Sequence, residues 1–93
     1  AIYRVIGDRH IPVTSTKSQT GHEMWMAGAS EVIYSMLMMK NGFIAGNLNF
    51  ENPDEDSAKL YIPAQRIETG FDTFLSNSFG FGGTNSTLIV RDL

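Results

Sequence analysis

Cysteine is absent from this sequence of 93 residues, which excludes a disulfide framework, a cysteine-ligated zinc site and any reaction in which the chain supplies its own thiolate. Positive charge is also scarce, since seven Lys and Arg residues stand against ten Asp and Glu residues and give a net charge of −3. The basic residues are scattered, so we expect no nucleic-acid partner. Apolar runs fall short of the roughly 20 residues that a membrane span needs, so we expect no membrane partner.

The rest of the composition is that of an ordinary globular protein, with 42% hydrophobic and 18% charged residues. The acidic stretch over residues 51–56 lacks the spacing of an EF-hand loop and is predicted to be a solvated turn. We therefore expect neither a metal site nor another cofactor. The chain begins at Ala1 without an initiator Met, and we interpret residues 1–7 as the end of a helix that starts upstream and stops at Gly7.

One long apolar segment follows a helix-start signal. Thr20 and Glu23 have the spacing of a capping box, and Asn41-Gly42 is typical of a helix end, so we predict a helix over residues 21–40. Apolar side chains cover most of its circumference, which predicts burial on nearly every side. A chain of this length supplies few neighbours, so we expect this helix to pack within a larger subunit or across an oligomer interface.

The other segments are predicted to be extended. Residues 11–16 form a short β-rich run, residues 60–62 precede Pro63 at a sheet edge, and residues 74–79 and 87–90 flank a glycine-rich turn as a hairpin. The fold class is therefore α/β, or α+β within this segment, with one long buried helix packed on a mixed sheet. We predict no internal domain boundary over residues 1–93.

A first candidate site lies where the strand over residues 11–16 leads into the helix. His22 would occupy the first helical turn, where the helix dipole disfavours a charged imidazole, and a neutral imidazole can donate an N–H to a substrate oxygen. Lys17 could stabilise an anion, and Glu31, about two turns later, could orient one of these groups. From spacing alone, a partly exposed histidine that caps the helix and a solvated lysine are the favoured interpretation of this pattern.

A second candidate site is the glycine-rich run over residues 76–85. Glycines around Phe79 and Phe81 permit positive φ angles and close backbone approach, so the loop could aim backbone N–H groups at an oxyanion while Phe81 covers a pocket mouth. A flexible hairpin turn with aromatic side chains in the core is the alternative. Nucleotide binding is disfavoured because the strand–loop–helix context is missing.

Together these segments resemble the β-ketoacyl-acyl carrier protein synthases. Residues 17–22 (Lys-Ser-Gln-Thr-Gly-His) match the lysine–histidine motif of that family, and residues 76–85 (Ser-Asn-Ser-Phe-Gly-Phe-Gly-Gly-Thr-Asn) match its glycine-rich gating loop. Residues 33–35, 41–45 and 51–54 are also similar to the family. The resemblance covers essentially the whole chain in the family's order.

The resemblance implies the thiolase fold, with this chain forming part of its C-terminal domain. It implies an acyltransferase that performs a decarboxylating Claisen condensation of malonyl-acyl carrier protein with an enzyme-bound acyl group, in fatty acid or related polyketide or polyene synthesis. It also implies acyl carrier protein as partner, a cytoplasmic homodimer, and no cofactor. The nucleophilic cysteine and the first catalytic histidine of the family lie outside this chain, so the chain alone is expected to be inactive.

The resemblance also implies roles for individual residues. His22 would be the second histidine that stabilises the enolate, Lys17 the lysine of the charge network, and Glu31 its acidic partner. Phe81 would be the gate, with its N–H completing an oxyanion hole. The substrate-binding or gating residues would further include Phe79, Gly80, Gly82, Gly83 and Asn85.

The chain departs from the family after the histidine, where small residues are usual. Here the stretch reads Met24-Trp25-Met26, and a tryptophan adds about 150–250 Å² of aromatic surface. We hypothesise that Trp25 and Met26 reshape the helix contact or narrow the acyl pocket.

Two other functions remain open from the sequence. A non-catalytic partner subunit, like the chain-length factors that pair with ketosynthases, would share the fold, although it need not retain Lys17, His22 and Glu31. A freestanding α+β interaction module would have to fold alone, which the apolar circumference of the long helix disfavours.

Overall fold

The computed structural model describes all residues from 1 to 93. The chain forms two compact units, of which the first comprises Ala1–Gly21 and Ile44–Ile67 and the second comprises His22–Phe43 and Glu68–Leu93. The assignment of residues 1–93 to one larger domain stays a prediction.

Helices and strands are short outside one central helix. The helices are α1 (Ile2–Ile6), α2 (Lys17–Thr20) and α3 (Ala27–Asn41), with 3-10 turns at Met24–Met26 and Ser57–Lys59. The strands are β1 (Phe43–Ile44), β2 (Ile67–Glu68), β3 (Thr73–Phe79) and β4 (Asn85–Arg91). The helices fall short of the combination of length and apolar character that a membrane crossing requires.

Asn47 organises the first unit through its side chain. Its Nδ2 donates to the carbonyl oxygens of Pro63 at 2.9 Å and Val13 at 3.4 Å, while its Oδ1 accepts from the Ser15 N–H at 2.9 Å. One amide group therefore joins three segments that are far apart in sequence. The Gln19 side chain adds a similar link by donating to the Gly46 carbonyl at 3.0 Å.

The prediction of a strand over residues 11–16 is wrong. Only Pro12 bridges Tyr61, in parallel orientation, and the Val13 N–H donates to the Tyr61 carbonyl at 2.8 Å. The Thr14 hydroxyl donates instead to the Ala45 carbonyl at 2.7 Å. Side-chain hydrogen bonds to a neighbouring loop have replaced the backbone ladder that a strand would need.

Helix α3 ends as the sequence predicts and begins later. Gly42 follows it in the left-handed conformation, with φ 69° and ψ 43°, and its N–H donates to the Met38 carbonyl. The predicted start at residue 21 is wrong, because α3 begins at Ala27 after a 3-10 turn. The predicted capping box is absent, since the Thr20 hydroxyl bonds the carbonyls of Thr16 and Gly21.

The predicted hairpin is confirmed. Strands β3 and β4 pair antiparallel from Thr73–Arg91 to Phe79–Asn85. A cross-strand hydrogen bond of 2.8 Å from the Thr87 hydroxyl to Asn77 Oδ1 supports this register. Helix α3 packs against β3 in the second unit, which places the helix on the hairpin.

Few hydrophobic side chains are buried. The buried hydrophobic residues are Ala27, Met38 and Ala45, whereas Ile33, Met36 and Leu37 on α3 are exposed. An apolar helix whose flank stays uncovered fits the expectation that its remaining neighbours lie outside this chain.

The buried Gly46 provides a test of the first unit. A Cβ at this position would lie 2.6 Å from both the Ala64 oxygen and the Gln65 carbonyl carbon. Because these are backbone atoms, we expect Gly46→Ala to lower the free energy of unfolding by about 1–3 kcal/mol, measured by urea denaturation. Gly70→Ala is the matched control, because nothing lies within 4 Å of a Cβ there. Equal stability of the two variants would contradict the packing at Gly46.

Candidate functional site

His22 lies ahead of the 3-10 turn, outside the first turn of α3 where the sequence placed it. Its Nδ1 accepts a hydrogen bond of 2.9 Å from the Met24 N–H. A ring nitrogen that accepts a hydrogen bond carries no proton, so the neutral ring holds its proton on Nε2. The Met24 N–H, rather than the dipole of α3, therefore favours the tautomer with its proton on Nε2. The exposed ring is left with one directed donor, Nε2–H.

Glu23 bonds to helix α3 rather than to the Thr20 amide that a capping box would use. Its Oε1 accepts a hydrogen bond of 2.7 Å from the Tyr34 hydroxyl, eleven residues along the chain. Its Oε2 is buried without a partner of good geometry, although the buried Ser30 hydroxyl is near enough to lower the pKa of Glu23, with Tyr34 lowering it further. The same contact with Glu23 raises the pKa of Tyr34.

The residues between His22 and α3 form an exposed apolar turn. Met24 has a φ of 54°, a left-handed backbone conformation that is uncommon for residues other than glycine. Trp25 is fully exposed and Met26 is also exposed, so neither is buried in the core of this chain, and both belong to the 3-10 turn ahead of α3. The hypothesis that Trp25 and Met26 reshape a helix contact or narrow the acyl pocket stays a prediction.

The glycine-rich loop is the turn of the β3–β4 hairpin. The Gly80 N–H donates to the Thr84 carbonyl at 2.7 Å, and the Gly83 N–H donates to the Gly80 carbonyl at 3.2 Å. Gly82 and Gly83 have φ angles of 99° and 93°, which require glycine. The turn forms no hydrogen bond to the Phe81 amide, so this N–H remains a free donor.

Both phenylalanines of this turn lie outside any core. Phe81 is fully exposed and Phe79 is exposed as well, so the alternative of a hairpin turn with buried aromatics is wrong. Asn85 is the first residue of β4 and pairs with Phe79 through the backbone, which sets the base of the turn.

Helix α3 brings the two candidate segments toward each other. A Cβ at Gly28, in the first turn of α3, would lie 3.2 Å from Ser78 Oγ in β3. Gly28 follows the turn that bears His22, and Ser78 precedes Phe79 in the strand that leads to the glycine loop. His22 and the glycine loop therefore both lie within the second unit, in segments that flank one helix–strand contact.

The two charged candidates lie in different units. Lys17 is half-buried at the start of α2 in the first unit, and its carbonyl accepts from the Gly21 N–H at 2.9 Å. Its predicted position at a strand end is corrected to this short helix. Glu31 lies in α3, in the second unit, where its carbonyl accepts from the Ser35 hydroxyl at 2.8 Å.

Comparison with known proteins identifies the family of this chain. Residues 1–51 match the family described as beta-ketoacyl synthase, C-terminal domain. The chain belongs to this family. The whole chain is 47% identical to 3-oxoacyl-[acyl-carrier-protein] synthase 1 of Escherichia coli (strain K12), over 93 residues that make up 23% of that protein. The β-ketoacyl synthase family resemblance seen in the motifs is thereby confirmed, and with it the thiolase-like fold class.

Other relatives give the same result. The synthase 1 of Haemophilus influenzae is 49% identical over 98% of this chain and 23% of its own length. The synthase 2 of Coxiella burnetii is 44% identical over 97% of this chain and 22% of its own length. The chain thus spans about a quarter of the length of the curated β-ketoacyl synthases it matches.

Sequence reasoning missed two residues of the second unit. Tyr34 was read only as part of a family-like run, and Glu23 was assigned to a capping box. No local pattern signals their contact, because it spans eleven residues and one helix start.

The hydrogen bond between Glu23 and Tyr34 predicts a pH-dependent stability. Because the pKa of Glu23 lies below its ordinary value of 4.5, the stability it adds is complete above that value and is lost as the pH falls through the lower folded value. We expect Glu23→Gln to lower the melting temperature at about pH 7, with the difference from wild type shrinking as the pH falls below 4.5. Tyr34→Phe should show the same convergence in thermal melts. A difference that is constant with pH would contradict the contact.

Proposed function

We propose that the protein containing this chain is a 3-oxoacyl-[acyl-carrier-protein] synthase that performs a decarboxylating Claisen condensation. The observation that carries the proposal is the hydrogen bond from the Met24 N–H to His22 Nδ1, in a chain of this family. It fixes Nε2–H as the donor that such a reaction requires. The relatives that match the whole chain bear the same name, which supports this assignment.

The chemical role of His22 follows from its tautomer. When malonyl thioester loses carbon dioxide, the bond between C2 and the carboxyl carbon breaks, and its electron pair moves onto C2 and the thioester oxygen. An N–H donor at that oxygen stabilises the negative charge of the enolate, and a neutral imidazole can be this donor without carrying a charge itself. His22 Nε2–H provides such a donor, and a second histidine from elsewhere in the complete protein would share the oxygen.

The second half of the reaction needs the glycine loop. The C2 carbanion attacks the acyl carbon of a thioester on a cysteine outside this chain, a carbon–carbon bond forms, and the cysteine thiolate leaves. The oxyanion of the tetrahedral intermediate would be held by the free N–H of Phe81, while the exposed Phe79 and Phe81 rings gate the pocket. Glycine at positions 80, 82 and 83 and the pairing of Asn85 with Phe79 keep the turn in this shape.

The remaining assignments rest on the family resemblance. Lys17 and Glu31 would maintain the charge network around the two histidines. Acyl carrier protein would deliver malonyl and acyl groups as thioesters, and the complete protein would act as a cytoplasmic homodimer without a cofactor. A chain-length-factor-like partner subunit is less well supported, because the relatives that match the whole chain are named as synthases.

Replacing His22 tests the proposed donor. In the complete enzyme, we expect His22→Ala to slow malonyl decarboxylation by about 100–1,000-fold, since one oxyanion donor is removed. Transfer of the acyl group from acyl carrier protein to the cysteine should change by less than about threefold, because it does not pass through the enolate. Both half-reactions can be followed with radiolabelled substrates.

His10 provides the matched control for that experiment. It is the other histidine of the chain, lies in the first unit and stacks on Tyr61 with ring centroids 3.9 Å apart. His10→Ala should leave both half-reactions unchanged. Equal loss of both half-reactions in His22→Ala would give His22 a structural role instead.

Trp25 is proposed to set the acyl pocket. It lies three residues after His22 and is fully exposed in this chain, so its ring is available to a neighbouring pocket wall or acyl chain. We expect Trp25→Gly in the complete enzyme to extend the range of acyl lengths elongated, because about 150–250 Å² of aromatic surface is removed. Trp25→Phe, which keeps a ring, should stay near the wild-type profile. An unchanged profile in Trp25→Gly would remove the pocket role.

A further inference from the structure

The segment that bears His22 has one long-range side-chain anchor. The histidine and the apolar turn after it are exposed, and Met24 holds a positive φ. The local hydrogen bond from the Met24 N–H fixes the ring relative to Met24 alone. What fixes the segment to the rest of the second unit is the 2.7 Å hydrogen bond from the Tyr34 hydroxyl to Glu23 Oε1.

We propose that Glu23 and Tyr34 are positioning residues for His22, which hold the histidine-bearing segment at one fixed place relative to helix α3. This proposal deepens the proposed function and rests on it. Glu23 is adjacent to His22 in the chain, and Tyr34 lies near the middle of α3, the helix that packs on β3. The bond therefore connects the catalytic donor to the framework that also carries the glycine loop.

The surroundings of Glu23 make this anchor specific. Its side chain is half-buried, and Oε2 is buried beside Ser30, itself a buried residue one turn before Tyr34. The neighbouring hydroxyls favour the carboxylate, which gives the stronger, charge-assisted form of the hydrogen bond. A carboxylate held in this way cannot rotate freely, so the backbone of residue 23 is held as well.

Positioning matters here because a donor acts over a short range. An N–H group stabilises a developing oxyanion only within hydrogen-bond distance of it, and a displacement of about 1 Å can reduce the rate roughly 100-fold. Glu23 does not touch the substrate in this proposal. It acts through the placement of His22 Nε2.

The test uses the complete enzyme and its two half-reactions. We expect Glu23→Ala to slow malonyl decarboxylation by about tenfold or more while acyl transfer to the cysteine changes by less than about threefold. Tyr34→Phe should have a similar effect on decarboxylation. The double variant Glu23→Ala with Tyr34→Phe should be no slower than the slower single variant, because both substitutions remove the same bond. Glu23→Gln should restore most of the rate, since its amide oxygen can still accept from Tyr34.

The chain offers a matched control for the tyrosine substitution. The Tyr3 hydroxyl donates to Asp8 Oδ1 at 2.7 Å, the same kind of bond at the same distance, but in the first unit. Tyr3→Phe should leave the ratio of the two half-reactions unchanged. A change of that ratio in Tyr34→Phe alone would therefore reflect the hydrogen bond from Tyr34 to Glu23 rather than a general loss of stability.

The outcomes separate this proposal from the proposed function. If His22→Ala blocks decarboxylation but Glu23→Ala does not, the positioning role is wrong and the function stands. Equal loss of both half-reactions in Glu23→Ala, or additive losses in the double variant, would also overturn the positioning role. If the wild-type enzyme does not decarboxylate malonyl thioester, the proposed function fails and the positioning role fails with it.

Discussion

Hydrogen bonds between distant segments are the constraint on which the conformation of this chain depends. Three hydrophobic residues are buried in this chain, which spans about a quarter of the length of its relatives, and polar side chains reach distant backbone or side-chain groups to hold its segments together. Asn47 does so in the first unit and Glu23 in the second. Leaving a buried donor or acceptor of such a bond without a partner is costly, so these contacts specify the conformation strongly.

The same constraint shapes the candidate site. The tautomer of the His22 ring depends on the hydrogen bond from Met24, two residues away. The proposed placement of the ring depends on the hydrogen bond between Glu23 and Tyr34, eleven residues apart. The glycine loop is held by hydrogen bonds within its own turn. None of these needs a large core, so a segment spanning about a quarter of its relatives holds these parts of the site. The proposed reaction also needs a cysteine thiolate and a second enolate donor; this sequence contains no cysteine, and both groups would come from the rest of the proposed enzyme.

Features encoded by local backbone preferences could be read from the sequence. Gly42 ends α3 and the run around Gly82 forms a hairpin turn, because glycine is favoured wherever φ must be positive. The start of α3 could not be predicted from the sequence. The spacing of Thr20 and Glu23 matches a capping box, but the Glu23 carboxylate instead accepts a hydrogen bond from the Tyr34 hydroxyl. The prediction of a strand over residues 11–16 failed for a similar reason, because the Asn47 side chain forms hydrogen bonds with the backbone groups of Val13 and Ser15.

Strand β4 presents an outer edge that no other strand of this chain covers. Its residues from Asn85 to Val90 carry no charge, and Leu88 and Ile89 face solvent. Unpaired amide and carbonyl groups along an uncharged, β-branched strand are a template for further strands. For this chain on its own, edge-to-edge pairing between copies would therefore compete with folding, and the hairpin strand that borders the glycine loop would act as a seed for aggregation.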